Sequence, residues 1–365
     1  MNRVQQLQAV LAERSLPAVL IDDPINVGYL TGFTGSTAAL LVTPYVVRFI
    51  TDGRYDAQSR QECPDFERVL VPPDSTYSAL IARTVRELGL ARLVVEAETT
   101  TCVKFSGLGD LLRATDELPG VELGFETDLV MPLRRIKDAG EIAVFRTACG
   151  LADRAFDYAL TLLHPGVSER DIALDIEYWM RKHGADREAF DTIVASGPRS
   201  ALPHGRPTAR LLERGDFVTL DFGARVAGYH SDLTRTVVLG PATDRQREVY
   251  HVVLDAQRAG LAAIRSGVDG KAVDTLVRDQ IAAAGLGEYF PHSLGHGLGR
   301  TIHESPPLLS QRMECPLAAG NVVTVEPGVY IEGWGGVRIE DDVVVTDAGC
   351  EVLTHAPKEL LELPV

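Results

Sequence analysis

The chain has 365 residues, 45% of them hydrophobic, and it exceeds the roughly 100–150 residues of a typical domain, so two hydrophobic cores are expected. Its formal net charge of −15, with no clustered run of Lys and Arg, excludes a nucleic-acid binder, because phosphate contacts need concentrated positive charge. No stretch of about 18 apolar residues occurs, which excludes a membrane-spanning helix.

In chain order, MNRVQQLQAVLAERS reads as an amphipathic helix over 2–14. It has neither an apolar signal core nor a cleavage site, which points to a soluble cytoplasmic protein. Strands follow at AVLI (18–21) and AALLVT (38–43), a helix after TDGRY (51–55), a strand at RVLVP (68–72), a helix near 78–88 and a strand at LVVE (93–96). This alternation predicts an α/β domain. At VMPLRRIKDAGEIAVFR the character changes: Pro132 breaks the chain, and Asp138 is placed to start a helix running to about 163. The expected domains are therefore 1–130 and 131–365. The second opens with helices at 138–163 and 168–183 followed by a strand hairpin, then repeats the order with helices at 243–265 and 270–284 and a second hairpin. This suggests an internal duplication with a site held between the halves. Cys63, Cys102, Cys149, Cys315 and Cys350 are odd in number and widely spaced, so neither a disulfide framework nor a thiolate metal site is expected.

The chemistry concentrates in the two hairpins. In FVTLDFGARVAGYHSDLTRTVVL, one β-rich run ends at Asp221 and another follows Asp232 across a Gly-containing turn. In NVVTVEPGVYIEGWGGVRIEDDVVV, Glu326 closes one apolar strand and Glu340 sits in the next. His296, in PHSLGHGLGRTIHESP, adds an imidazole among glycines that would let the backbone approach a ligand. Four carboxylates packed together repel one another, and some must take up protons unless cations lie among them. Two divalent ions would cancel the charge. Oxygen donors with one nitrogen and no sulfur favour Mn²⁺, with Co²⁺ or Zn²⁺ as alternatives.

Three of the nine histidines, His292, His296 and His303, cluster around one Gly-rich segment, and His204 lies in the Gly/Pro-rich loop GPRSALPHGRPT. Neutral imidazoles so placed can meet a substrate and move protons. Arg338 precedes Glu340 by two positions and should face the same side of the sheet, where it could steady a ligand carboxylate.

The runs VTLDFGARVAGYHSDLTRT, GHGLGRTIHESP, TVEPGVY and GGVRIEDDV resemble the peptidase family that contains aminopeptidase P, prolidase, methionine aminopeptidase and creatinase. The resemblance spans essentially the whole chain. It implies an α/β creatinase-like N-terminal domain and an α+β pita-bread catalytic domain. It also implies two metal ions per subunit, Asp221 and Asp232 binding one, His296 and Glu326 the other, with Asp232 and Glu340 bridging both. His204, His292 and His303 match histidines that line the substrate site, and a homodimer is implied. The implied reaction is hydrolysis of an Xaa-Pro bond by a metal-bridging hydroxide. Catalysis then falls to His204, His303 and Glu326, and substrate binding to His204, His292, His303 and Arg338. Compact microbial prolidases carry an Arg directly after the HExP run to hold the dipeptide carboxylate, whereas here HESP is followed by Pro307. The expectation is therefore an aminopeptidase P, with an Xaa-Pro dipeptidase as the alternative if Arg300 or Arg312 supplies the cation.

Overall fold

The computed structural model describes residues 2–115 and 118–364. They form two compact units, Met1–Arg134 and Arg135–Val365.

The first unit is a six-stranded sheet in the order Glu67–Val71, Val47–Asp52, Ala39–Val42, Val19–Ile21, Arg92–Glu96, Glu122–Glu126, with helices between strands. Only the pairings of Ala39–Val42 are antiparallel. Buried Val, Leu and Ile from alternate strand positions build a separate core on each face of the sheet. Two of its helices are not apparent from hydrophobic period. Pro24–Thr31 mixes β-prone Ile, Val, Tyr and Thr with Pro, Asn and Gly, all poor helix formers, yet Asp23 caps it, Pro24 occupies its first turn and Gly32 closes it in the left-handed conformation. Cys102–Leu112 contains two glycines and is started by the Thr101 cap. Pro132, expected to break the chain, instead sits in the first turn of a short helix, Met131–Arg135, where its missing N–H costs nothing.

The second unit repeats one order of elements twice. Helices Ala139–Leu160 and Glu169–Lys182 pack with strands Ile193–Ser196, Phe217–Phe222 and Leu233–Leu239 around one core. Helices Asp244–Ala263 and Gly270–Ala283 pack with Val322–Val325 and Asp341–Val345 around another. Asp138 starts the first of these helices with a capping box to Glu141, and Thr243 starts the third with Gln246. No described helix is long and apolar enough to cross a membrane. The five cysteines are free thiols, with Cys102 exposed.

Both hairpins are broken midway. Phe217–Phe222 pairs with Leu233–Leu239, and the hairpin continues as Ala224–Val226 against Tyr229–His230, closed by Ala227 and Gly228, both at positive φ. Ser231 and Asp232 lie at the break opposite Gly223, where any side chain would meet the Ser231 carbonyl oxygen at 1.8 Å. The second hairpin pairs Val322–Val325 with Asp341–Val345 and continues as Gly328–Ile331 against Gly335–Arg338. Glu326, Pro327, Ile339 and Glu340 form its break, so Glu340 lies between strands rather than within one.

Buried Arg235 ties the two hairpins together. It donates to the backbone carbonyls of Thr234, Glu340, Ala356 and Pro357 and pairs with Asp341, which also receives Lys358, Gln257 and Thr354. Arg235→Ala would leave these acceptors and a buried carboxylate short of donors. A loss of about 3–5 kcal/mol is expected in denaturant unfolding, and a loss below about 1 kcal/mol would contradict this role.

Candidate metal centre

The hairpin breaks bring the predicted acids together. Carboxylate oxygens of Asp221, Asp232 and Glu340 lie within 4.8 Å of one another, all buried. His296 Nε2 stands 3.6 Å from Asp232 Oδ2 and 3.5 Å from Glu326 Oε1. Asp232 is thus common to a cluster with Asp221 and Glu340 and to one with His296 and Glu326. Two donor atoms that share an ion at about 2.1 Å from each are separated by at most about 4.2 Å, so the spacings to His296 suit a cation between them. Glu340 Oε1 is buried without a hydrogen-bond partner among the described residues, which is a further mark of a cation-shaped gap.

Each donor is held by its own neighbours. His296 Nδ1 donates to the Gly297 carbonyl (3.1 Å), which leaves the Nε2 lone pair facing Asp232 and Glu326. Its backbone N–H donates to Thr324 Oγ1, and the Thr324 hydroxyl donates to Glu326 Oε1 (3.1 Å). Thr234 Oγ1 donates to Glu340 Oε2 (2.5 Å), while the Glu340 N–H donates to the Thr234 carbonyl (3.1 Å). Arg338 donates from Nη2 to Asp221, from Nη1 to Tyr330 and Pro203, and from Nε to Thr234. Its donors are therefore engaged within the protein, steadying a carboxylate rather than facing a substrate. The glycines around His296 serve packing: a side chain at Gly295 would meet the Thr324 carbonyl oxygen at 2.0 Å, and one at Gly297 the Glu304 carbonyl oxygen at 2.0 Å. They admit neighbouring backbone, and Gly295 also lines the cavity around these donors.

These groups line a cavity of about 560 Å³ together with His204, His292 and His303. The three histidines differ. His292 is engaged at both nitrogens, Nδ1 donating to the Ser293 carbonyl and Nε2 accepting from the Tyr330 hydroxyl (2.9 Å). The rings of His204 and His303 are exposed to the cavity and make no hydrogen bond among the described residues, and the His303 ring lies 4.2 Å from that of His296. The sequence reading missed Thr234, Thr324 and Tyr330. The two threonines could have been found, since each lies two positions from an acid and so on the same strand face.

Burial dominates the electrostatics. Without cations among them, burial and then the charges of Glu340 and Asp221 hold Asp232 well above the usual carboxylate range. Burial and then Glu326 and Asp221 do the same to Glu340. Glu326 is pushed up to about 7 because burial outweighs Arg338. Burial lowers His296 to about 3 and His292 to about 4, so both are neutral donors or acceptors near pH 7.

In the unfolded chain His296 titrates near 6.5, so above that pH these histidines contribute no slope to stability. Asp232 and Glu340 have raised folded-state values, so their contribution is complete below the unfolded values of 3.8 and 4.5 and is lost as pH rises through the folded ones. Chelator-treated protein is expected to lose thermal stability as pH rises above about 6.5, and Mn²⁺-saturated protein to lose less. Melting curves with chelator and with Mn²⁺ check this; equal pH slopes for the two forms would contradict it.

Comparison with known proteins places this site in a family. The chain matches the metallopeptidase family M24 over residues 143–347 and the creatinase/prolidase N-terminal domain over residues 3–136. It is similar to a Bacillus anthracis Xaa-Pro dipeptidase structure at 41% identity and a TM-score of 0.93, covering 99% of both chains. It is 36% identical to the Pyrococcus furiosus Xaa-Pro dipeptidase over 99% of both sequences. A Thermotoga maritima X-Pro aminopeptidase structure matches at 38% identity and a TM-score of 0.90, covering 97% of this chain and 99% of that one. The dipeptidases among these relatives favour the alternative of the two sequence readings over the aminopeptidase P first expected. With both domain models matched across nearly its whole length, the chain belongs to metallopeptidase family M24 and carries the creatinase/prolidase N-terminal domain.

Proposed function

We propose that this protein is an Xaa-Pro dipeptidase, a dinuclear metal-dependent exopeptidase that hydrolyses the bond between an N-terminal residue and a C-terminal proline. Arg312 carries the choice of a dipeptide. It lines the cavity with His292 and Leu308, and its guanidinium has no hydrogen-bond or ion-pair partner among the described residues. The other lining arginines are engaged, Arg338 by Asp221 and Arg206 by Asp191 at 3.7 Å. The Arg312 backbone is fixed by Ser310, and the strand Leu308–Leu309 that leads to it pairs with Gly295–His296. An unpaired guanidinium lining the same cavity as His296 suits the carboxylate adjoining the scissile bond of a dipeptide. Arg300, the other candidate, instead lies over the Tyr229 ring at 5.3 Å and is not among the cavity residues. Pro307 removes the cation from its expected place, and Arg312 supplies one further along the loop. The dipeptidase relatives support the same reading.

Asp221 and Asp232 would hold one divalent ion, His296 and Glu326 the other, with Asp232 and Glu340 shared. Manganese suits this donor set, with cobalt or zinc as alternatives. When bound, the ions supply Lewis acidity toward water and the scissile carbonyl. Glu326 takes the proton of the attacking water and delivers it to the proline nitrogen. That delivery is essential because an amide nitrogen does not leave as an anion: the C–N bond breaks as the proline nitrogen gains the proton. His204 and His303 donate hydrogen bonds to the oxyanion as it develops. His303 remains neutral, lowered by burial and by His204, and a neutral imidazole still has one N–H to give. The ring of His292, immobilised by Tyr330, joins Ile302 and Leu308 in an apolar wall suited to the pyrrolidine.

Steady-state kinetics with Mn²⁺ on an Xaa-Pro dipeptide, its C-terminal amide and an Xaa-Pro-Yaa tripeptide test this. The dipeptide is expected to be cleaved with kcat/KM higher by about 10²-fold than either analogue. Arg312→Ala should raise KM for the dipeptide by about 10–100-fold with little change in kcat. Equal cleavage of dipeptide and tripeptide, or an unchanged KM in Arg312→Ala, would overturn the dipeptidase reading in favour of aminopeptidase P.

A further inference from the structure

We infer that Asp342, with Cys149 behind it, is a positioning residue for the metal centre, fixing the backbone of Asp232 from the opposite half of the second unit. The inference rests on the assignment of Asp232 as the shared ligand. Asp342 lies on the strand Asp341–Val345 and is fully buried. Its Oδ2 accepts the backbone N–H of Asp232 at 2.8 Å and the thiol of Cys149 at 3.3 Å. Cys149, also fully buried, belongs to the helix Ala139–Leu160. The preceding residue of that helix, Ala148, accepts the Ser231 hydroxyl at 3.4 Å. Besides the Ser231 pairing to Ala224 across the break, residues 231 and 232 are thus held by a helix on one side and a carboxylate on the other.

The other shared ligand is held in a mirrored way, since the Glu340 N–H donates to the Thr234 carbonyl of the first hairpin. Each bridging acid therefore takes its backbone anchor from the other half. Asp341, beside Asp342, is paired with Arg235 and Lys358, whereas among the described residues no cation touches Asp342 and its Oδ1 has no hydrogen-bond partner. A buried carboxylate kept in this condition contributes no ion pair to the fold, and its one strong contact is the N–H of a metal ligand. Support of this kind around a ligand typically changes metal affinity by 10–100-fold.

Mn²⁺ binding measured calorimetrically on the full chain tests the inference without relying on turnover. Asp342→Ala is expected to weaken Mn²⁺ binding by about 10–100-fold at temperatures where the variant is folded. Asp342→Asn, whose amide oxygen can still accept the Asp232 N–H, should stay within about 3-fold of wild type. Wild-type affinity in Asp342→Ala, or Asp342→Asn as weak as Asp342→Ala, would overturn the role. If Asp342→Ala does not fold, Cys149→Ala decides: it should weaken binding by about 3-fold, and unchanged affinity would overturn the inference. Failure of the wild-type chain to bind Mn²⁺ would instead refute the metal reading on which the inference rests.

Discussion

The second unit is organised around one electrostatic constraint: Asp221, Asp232, Glu326 and Glu340 share a buried space with His296. Such a group of acids can stay ionised only if compensating charge lies among it. Arg338, the guanidinium bonded to this cluster, is attached to Asp221 and cannot balance four carboxylates. Two dications can, and the same charge that makes the cluster tolerable would activate water for hydrolysis. On the proposed reading stability and chemistry would depend on the same ions.

The fold meets this constraint by interrupting regular structure. Continuous hairpins would point alternate side chains to opposite faces and spend every backbone group on strand pairing. Breaks at 231–232 and at 326–327 with 339–340 free the chain to turn acids inward, and the lost pairing is replaced by side-chain anchors from the other half. Arg235 crosses the same junction to satisfy carbonyls on both sides. A rigid frame of this kind suits a reaction in which water, carbonyl and leaving nitrogen must be aligned to within fractions of an ångström.

The metal-ligand candidates were legible in the sequence because each acid sits beside Gly, Pro or a strand end, an unusual setting for a solvated carboxylate. The four long helices of the second unit were equally legible, since Asp138 and Thr243 begin apolar periodic runs with matching Glu141 and Gln246. Pro24–Thr31 was not, because Asn, Val, Gly and Tyr give it no helical stripe and only its caps define it. Asp342 was hidden in the acidic run 340–342, where nothing local separates a ligand, an ion-paired acid and a backbone anchor. The packing role of the glycines of GHGLG was not legible, because close approach to Thr324 and Glu304 arises only in the folded chain. The choice between dipeptidase and aminopeptidase P meets a similar limit: Pro307 and Arg312 are both visible in sequence, whereas the presence of Arg312 at the cavity is seen only in the folded chain, where Leu308–Leu309 pairs with Gly295–His296.

Metal stoichiometry of the purified chain tests the central claim most directly, by elemental analysis after equilibration with Mn²⁺ and removal of free ion. Two equivalents per chain are expected for the wild type, and at most one for Asp232→Asn, which takes a shared charge from both positions. A wild-type chain that retains no manganese, cobalt or zinc, or an Asp232→Asn variant that still holds two ions, would contradict a centre built on carboxylates shared between paired dications.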